Sequence, residues 1–230
     1  MKTIGILGGM SWESTLEYYR LINEEVKSRL GGFHSAKILL YSFDFAEIES
    51  LQHQGRWEEM GVLLSEAAQR LEKAGADFIL IATNTMHKVA PAVEEAISIP
   101  LLHIVDATAA AIKEANCHRV GLLGTKFTME EEFYRRRLKE KHQIEVVVPP
   151  VEQRDLVHQV IFNELVMGEI KEKSRLNFIR IINDLKSAGA QGIILGCTEI
   201  PLLIKPEHSS LPLFDTTAIH ARSAVDWALD

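Results

Sequence analysis

The chain of 230 residues is long enough for one or two domains and can bury a core without a metal or a disulfide. Its 47% of hydrophobic and 25% of charged residues exclude a disordered or collagen-like chain. The formal net charge of −7 provides no basic surface to hold nucleic acid through its phosphates. The N-terminal apolar run stops at glycine too early for a secretion signal or a membrane span. We therefore expect a cytoplasmic protein that binds neither nucleic acid nor a membrane.

Taken in chain order, short apolar runs alternate with helical patterns. The runs are bounded by glycine or proline, as is typical of buried parallel strands, and lie at 4–7, 37–43, 78–82, 120–123, 144–148 and 193–195. Apolar residues on one helical face predict helices over Ser14–Leu30, Trp57–Ala74 and Lys173–Ala188. Ala74-Gly75 and Ala188-Gly189 are typical of helix ends, where glycine takes the left-handed conformation. This alternation predicts an α/β fold with parallel sheets.

The two halves of the chain resemble one another. Residues 3–9 recur at 119–125, residues 74–85 recur at 188–199, and the IPLL segment at 99–102 recurs as LPLF at 211–214. Three matches in one order, at a nearly constant spacing, indicate a duplicated unit. We predict two similar α/β lobes, each with a parallel sheet flanked by helices: residues 1–98 with 209–230, and residues 99–208. The active site is expected in the cleft between them.

The turns that follow strands are the candidate ligand-binding places, because parallel sheets bind ligands at the carboxyl ends of their strands. Three such turns carry small polar residues: Gly8–Ser11, Thr83–Thr85 and Cys197–Glu199. The first does not fit the GxGxxG pattern, so we expect no nucleotide cofactor. The nine histidines include no HxxxH pair and the two cysteines form no CxxC pair, so we expect no metal site.

Cys197 is the strongest candidate for chemistry. It precedes a predicted helix start, with Thr198 as the cap and Pro201 in the first turn. A thiol at a helix N-terminus has its pKa lowered from about 8.5, which would make Cys197 a base. The alternative is a buried structural cysteine. The duplication makes Thr83 equivalent to Cys197, and a pseudo-two-fold axis would bring the two to opposite sides of a substrate, as inversion of a stereocentre requires.

Three stretches resemble the aspartate/glutamate racemase family: GILGGM at 5–10, ATNT with a following histidine at 82–87, and GCTE at 196–199. The resemblance covers essentially the whole chain. It implies a cofactor-independent racemase that interconverts L- and D-amino acids without pyridoxal phosphate. It also implies two flavodoxin-like lobes, a homodimer, and a pair of cysteines that act as opposed acid and base.

The chain departs from the family pattern in two places. Thr83 stands where the family has its first cysteine, and a hydroxyl is a poor base. We therefore expect Cys197 to be the competent acid or base, with Thr83 donating or relaying a proton from the other face. The loop Phe43–Gly55 and the residues before Gly168 lack the Arg and Lys that clamp the side-chain carboxylate in aspartate-selective relatives. We expect broad or neutral polar substrates, with aspartate and glutamate still open.

The remaining site residues follow from their positions. Met10 is expected to line the cleft, with core packing as its alternative, and Gln52 to contact the substrate, with a solvated loop position as its alternative. Three polar residues are expected to bind the α-carboxylate and to stabilise the charge that develops there: Asn84, Thr85 and Thr198. Glu199 is expected to orient the ammonium group. His87, one turn beyond Thr83, is interpreted as a structural histidine.

Other functions stay open. A cofactor-free decarboxylase of the same superfamily needs one thiol only, to protonate a planar intermediate from a single face, and Cys197 would supply it. A hydantoin or maleate isomerase is a further possibility of this kind. A two-lobed amino-acid-binding protein without turnover also suits the predicted architecture.

Overall fold

A computed structural model describes all residues from 1 to 230. The strands are β1 (Ile4–Gly8), β2 (Ile38–Ser42), β3 (Phe78–Ile81), β4 (Leu101–Leu102), β5 (Arg119–Gly124), β6 (Glu145–Val147), β7 (Ile193–Gly196) and β8 (Leu213–Asp215). The α-helices are α1 (Trp12–Leu30), α2 (Phe45–His53), α3 (Trp57–Lys73), α4 (Ala90–Ala96), α5 (Ile104–Glu114), α6 (Lys126–Glu130), α7 (Glu132–His142), α8 (Val151–Val160), α9 (Glu172–Ser187), α10 (Ile200–Leu203) and α11 (Thr216–Leu229). None of the helices combines the length and the apolar composition needed to cross a lipid bilayer.

The strands form two parallel sheets of the same topology. The first has the order β2-β1-β3-β4 and the second the order β6-β5-β7-β8. Every strand pair in both sheets is parallel. This is the strand order of flavodoxin-like folds, in which ligands bind where the strand order reverses. The predicted fold class, two flavodoxin-like α/β lobes related by duplication, is confirmed.

The chain divides into two compact units, residues 1–104 with 217–230 and residues 105–216. The predicted lobes divide at 98 and 208, before the short strands β4 and β8. Because β4 pairs with β3, the chain up to Ile104 stays in the first unit. Because β8 pairs with β7, the chain up to Thr216 stays in the second unit. The repeated IPLL and LPLF segments thus each form an edge strand just before the chain changes unit.

Both faces of the first sheet are buried. Alternate residues of its central strands point to opposite faces. Leu7 and Ile81 pack on one side with Met60 of α3, whereas Ile6 and Leu80 pack on the other with helices α1 and α11. A sheet covered on both faces needs apolar residues at successive positions, which explains the continuous apolar runs in the sequence.

Local sequence signals set the ends of several elements. Gly75 and Gly189 follow α3 and α9 with φ of +98° and +93°, so the predicted left-handed helix ends are confirmed. The prediction of a loop over Phe43–Gly55 was wrong, because helix α2 occupies most of this segment. Asp44 caps this helix by accepting a hydrogen bond of 3.1 Å from the Ala46 amide, and Ile48 anchors it in the core.

Candidate functional site

In the first unit, the carboxyl ends of β1 and β3 lie side by side and carry two of the predicted turns. Gly9 has φ of +83°, and a Cβ there would lie 2.3 Å from the Phe43 carbonyl oxygen, so only glycine fits. Its amide donates to Thr15 Oγ1 at 2.8 Å. The Ser14 hydroxyl donates to the Ala82 carbonyl at 3.0 Å and so joins the start of α1 to the end of β3.

The turn after β3 carries Thr83, Asn84 and Thr85, the last of which begins a 3-10 helix. Asn84 and Thr85 are buried, whereas Thr83 is partly exposed. The Thr83 carbonyl accepts a hydrogen bond from His87 Nδ1 at 2.8 Å. His87 is buried, and its Nε2 accepts from the Ile104 amide at 3.1 Å. The ring is buried and bonded at both nitrogens, as expected of a structural histidine, and the same bonds hold the Thr83 turn.

The other predicted residues of the first unit lie on different elements. Met10 is buried in the core cluster that includes Leu7 and Ile48, which agrees with its alternative role in core packing. Gln52 lies in the last turn of α2 and is partly buried, so it belongs to a helix and not to the loop that the sequence indicated.

In the second unit, Cys197 follows β7 directly and is half-buried. Its thiol donates a hydrogen bond of 2.9 Å to the Glu199 carboxylate. Burial raises the pKa of the Cys197 thiol well above its ordinary value, and the negative charge of Glu199 and the hydrogen bond to it act in the same direction. The backbone N–H groups of Glu199 and Thr198 lower the pKa, but by less.

The predicted lowering of the thiol pKa was therefore wrong. Helix α10 has only four residues, and Glu199, not Thr198, occupies the position before it. Glu199 makes no side-chain capping bond to the helix and turns its carboxylate to the sulfur instead. Burial of the thiol, together with the negative charge that Glu199 brings to it, therefore outweighs the favourable backbone N–H groups. Pro201 lies in the first turn, as predicted.

The end of β5 contributes residues that the sequence reasoning missed. Gly124 pairs with Gly196, and a Cβ on Gly124 would lie 3.2 Å from Thr128 Cβ. Thr128 therefore packs against the strand end that precedes Cys197. Thr125 caps α6 by accepting from the Thr128 amide at 3.4 Å. The duplication could have found this turn, because residues 119–125 repeat residues 3–9 and so place Thr125 at the position of Gly9.

The described chain contains no cluster of three or more His, Cys, Asp or Glu side chains able to hold a metal ion. The chemically active groups at the strand ends are a thiol, hydroxyls, an amide and a carboxylate. Such a set can donate and accept protons and can hold a carboxylate by hydrogen bonds.

The sequence model of the Asp/Glu/hydantoin racemase family matches residues 7–224. The chain belongs to this family. The resemblance drawn from the three sequence stretches is confirmed, and with it the prediction of an enzyme of the isomerase class.

Three related proteins align with this chain over all or nearly all of its length. The broad specificity amino-acid racemase RacX of Bacillus subtilis is 28% identical, with 96% of each chain covered. A crystal structure of a candidate Asp/Glu racemase from Yersinia pestis is 56% identical with a TM-score of 0.96, and both chains are fully covered. The structure of an aspartate racemase homologue from Pyrococcus horikoshii is 38% identical with a TM-score of 0.89, again over both full chains.

Proposed function

We propose that the protein is a cofactor-independent racemase of free amino acids, which removes the α-proton from one face and returns a proton to the other. Membership of the racemase family and the similarity to an amino-acid racemase support this activity. The observation that carries it is the thiol of Cys197, at the carboxyl end of a parallel strand and hydrogen-bonded to the carboxylate of Glu199. A bonded thiol and carboxylate can exchange a proton with each other and with a substrate carbon.

Removal of an α-proton leaves an electron pair that must spread into the neighbouring carboxylate. Hydrogen-bond donors aimed at that carboxylate stabilise the charge as it develops. We assign this role to Asn84 and Thr85 after β3 and to Thr198 after β7. Gly9 lets the backbone turn tightly beside Phe43 and so sets the shape of the turn at the end of β1.

Cys197 would act on one face of the α-carbon together with Glu199. The thiol first passes its proton to the Glu199 carboxylate, which leaves a thiolate and a carboxylic acid. The thiolate then takes the α-proton, and the C–H electron pair moves into the substrate carboxylate. The short contact between the two side chains favours this role of Glu199 over the predicted contact with the ammonium group. In the reverse direction, the protonated thiol delivers its proton to the carbon.

Thr83 would act on the opposite face. Its hydroxyl can donate a proton to the carbanion and recover one from solvent, but it is a poor base. The enantiomer whose α-proton faces Cys197 therefore exchanges this proton with solvent more readily than the other enantiomer does. Inversion itself has the same kcat/KM in both directions, because the two enantiomers have equal free energy. The asymmetry of exchange is the distinguishing property of the proposed mechanism.

The proposed substrates are broad or neutral polar amino acids, with aspartate and glutamate included at lower selectivity. Gln52 in α2 is an uncharged candidate contact for the substrate side chain. Val166 and Met167, which precede Gly168, are exposed and carry no charge. A charge-assisted clamp would select acidic side chains, and neither position supplies one.

We further propose that the protein works as a cytoplasmic homodimer. Both cysteines are free thiols, as suits a reducing compartment. The homodimer is what the family resemblance implies. Helix α1 offers an exposed apolar stripe for it, made of Trp12, Leu16 and Tyr19 at helical spacing.

A cofactor-free decarboxylase is the second candidate, because the raised pKa of Cys197 suits a thiol that only donates protons. Incubation with disubstituted malonates, in parallel with each single amino-acid enantiomer, separates the two functions. We expect formation of the opposite enantiomer, detected by chiral chromatography, and no loss of carbon dioxide from the malonates. Decarboxylation without any inversion would overturn the racemase proposal. Cys197→Ala should abolish inversion, whereas Cys117→Ala, in the interior of the second unit, serves as the matched control.

A further inference from the structure

A single buried side chain joins the Thr83 turn to the place where the chain leaves the first unit. His87 Nδ1 lies 2.8 Å from the Thr83 carbonyl oxygen, and its Nε2 lies 3.1 Å from the amide nitrogen of Ile104. Ile104 is the last residue of the first unit before the chain continues into the second. The bond to Thr83 spans four positions of sequence and is local, whereas the bond to Ile104 spans 17 positions and ties this turn to a distant segment of the chain.

The two partners determine the protonation state of the ring. A carbonyl oxygen only accepts hydrogen bonds, so Nδ1 must carry the proton that it donates to Thr83. An amide N–H only donates, so Nε2 must keep its lone pair for Ile104. His87 is therefore neutral and in one tautomer. A second proton on Nε2 would face the Ile104 N–H and break that contact.

Neighbouring rings hold His87 in place. The centroid of the His103 ring lies 4.5 Å from that of His87, and the His220 ring centroid lies 5.8 Å away. His220 is itself bound, to the Tyr18 hydroxyl at 2.8 Å and to the Leu102 carbonyl at 2.9 Å. Burial lowers the pKa of His220 to about 4, so this ring is neutral at physiological pH. A buried side chain with both nitrogens bonded and two rings against it has little freedom to move.

We propose that His87 is the positioning residue for Thr83: the hydrogen bond from Nδ1 fixes the backbone of the turn and so fixes where the Thr83 hydroxyl meets a substrate. The inference rests on the proposed function, because it assigns His87 to the proton return that Thr83 performs. The proposal gives the two hydrogen bonds of the His87 ring different roles. The Thr83 contact serves the reaction, whereas the Ile104 contact serves the fold.

Two substitutions of His87 each keep one of these hydrogen bonds and remove the other. In His87→Asn, the side-chain amide nitrogen can occupy the place of Nδ1 and still donate to Thr83, but it cannot reach Ile104. In His87→Gln, the longer side chain can accept from Ile104 but loses the geometry toward Thr83. Each variant keeps a polar, uncharged side chain in the buried site, so the pair is matched.

The reaction provides a readout that general damage would not change in the same way. In heavy water, the Cys197 face exchanges the α-proton of one enantiomer without Thr83, whereas inversion needs Thr83. The ratio of inversion to exchange therefore measures Thr83 alone. His87→Gln should lower this ratio by about 100-fold while exchange persists, as a misplaced catalytic group does. His87→Asn should keep the ratio close to that of the wild type. The proposal would be overturned if His87→Asn lowered the ratio of inversion to exchange and His87→Gln did not. An equal loss of inversion and exchange in both variants would also overturn it.

A measurement without turnover keeps the inference separate from the proposed function. Thr83-Asn84 is the only Thr-Asn pair in the chain, so labelling threonine with 13C and asparagine with 15N isolates the Thr83 carbonyl in an NMR spectrum. The 13C chemical shift of this carbonyl should differ from that of the wild type in His87→Gln and match it in His87→Asn. In the wild type, the histidine ring spectra should show His87 as the neutral Nδ1–H tautomer. An Nε2–H tautomer would overturn the proposal even if neither variant folds. A wild type without any α-proton exchange would overturn the racemase function and leave the carbonyl test standing.

Discussion

The thiol of Cys197 and the carboxylate of Glu199 form a hydrogen bond of 2.9 Å, with the sulfur as donor. This relationship reverses the expected chemistry of the cysteine. Burial and the charge of Glu199 raise the pKa of the thiol, so the resting group is a proton donor. In the proposed mechanism, the thiol serves as a base after it has given its proton to Glu199.

Replacement of Glu199 by glutamine should separate thiol reactivity from catalysis. Without the negative charge, the pKa of Cys197 falls and more thiolate is present near pH 8, so alkylation by iodoacetamide becomes faster. Proton abstraction should become about 100-fold slower, because the acceptor for the thiol proton is lost. Alkylation is followed by mass spectrometry in a Cys117→Ser background, and α-proton exchange by NMR in heavy water. If alkylation and exchange both rise, Glu199 does not take part in the proton transfer.

Substitutions at Thr83 should change how evenly the two enantiomers exchange their α-protons with solvent. Thr83→Cys restores the second thiol of the family, so inversion should accelerate and the two enantiomers should exchange their α-protons at more similar rates. Thr83→Ala should abolish inversion but leave exchange from the Cys197 face, and Thr83→Ser should retain both. Starting from each pure enantiomer in heavy water, NMR measures the exchange rate and chiral chromatography measures inversion. An unchanged ratio of the two exchange rates in Thr83→Cys would contradict the proposed action of Thr83 on the face opposite Cys197.

The ion cluster around Asp106 should stabilise the second unit. Asp106 accepts from Arg137 at 2.7 and 2.8 Å, from Lys141 at 2.6 Å and from His142 at 2.7 Å. Burial alone would raise the pKa of the Asp106 carboxyl, but the hydrogen bonds from these three residues outweigh it and hold the pKa well below its ordinary value. Asp106→Asn should therefore lower the free energy of unfolding by about 2 kcal/mol at pH 7.

The sign of this effect determines its pH dependence. A carboxyl with a lowered pKa in the folded state contributes its full stability above the pKa of the unfolded chain, about 4, and loses it as the pH falls further. The difference between Asp106→Asn and wild type should thus shrink between pH 4 and pH 2, measured by urea unfolding. Glu132→Gln, which breaks an exposed pair with Arg135, is the control and should cost less than about 0.5 kcal/mol. An equal loss in both variants would contradict the assigned role of Asp106.

A pair of glycine substitutions should show that the turn after β1 is filled to its limit. Gly9 and Gly55 both have positive φ, of +83° and +69°. A Cβ on Gly9 would lie 2.3 Å from the Phe43 carbonyl, whereas a Cβ on Gly55 would meet nothing within 4 Å. Gly55→Ala should cost about 1 kcal/mol of unfolding free energy, from backbone strain alone. Gly9→Ala should cost at least twice as much, and equal costs would show that the turn can relax.

Charges placed on the exposed stripe of α1 should weaken self-association. The wild type should behave in solution as a dimer of the 25.9 kDa chain. Leu16→Glu with Tyr19→Glu should shift it to the monomer, because a buried unpaired carboxylate is costly at an interface. Analytical ultracentrifugation measures this, with Val62→Glu, at an exposed position of α3, as the control. A wild-type monomer at high concentration would exclude the proposed homodimer.

Much of the architecture could be predicted because the decisive signals are local or repeated. The apolar runs of β1 and β3 mark strands buried on both faces, and Gly75 and Gly189 mark helix ends by their left-handed backbone. The recurrence of residues 3–9 at 119–125 predicted two units of one topology. Helix α2 was missed because its short apolar pattern lies among polar residues, and its position depends on the packing of Ile48 in the core.

The amino-acid sequence by itself determined that Cys197, Thr83 and the polar residues next to them follow the ends of strands. It also determined the family motifs to which these residues belong. That Thr83 and Cys197 act on one substrate stays a prediction. Only the tertiary structure decided the chemical state of these groups. The pKa of Cys197 depends on the direction of the Glu199 carboxylate, and the Thr83 turn depends on a histidine bonded to an amide 17 positions away. Hydrogen bonds form only at donor–acceptor distances of about 3 Å, so they follow from distances in space and not from spacing along the chain.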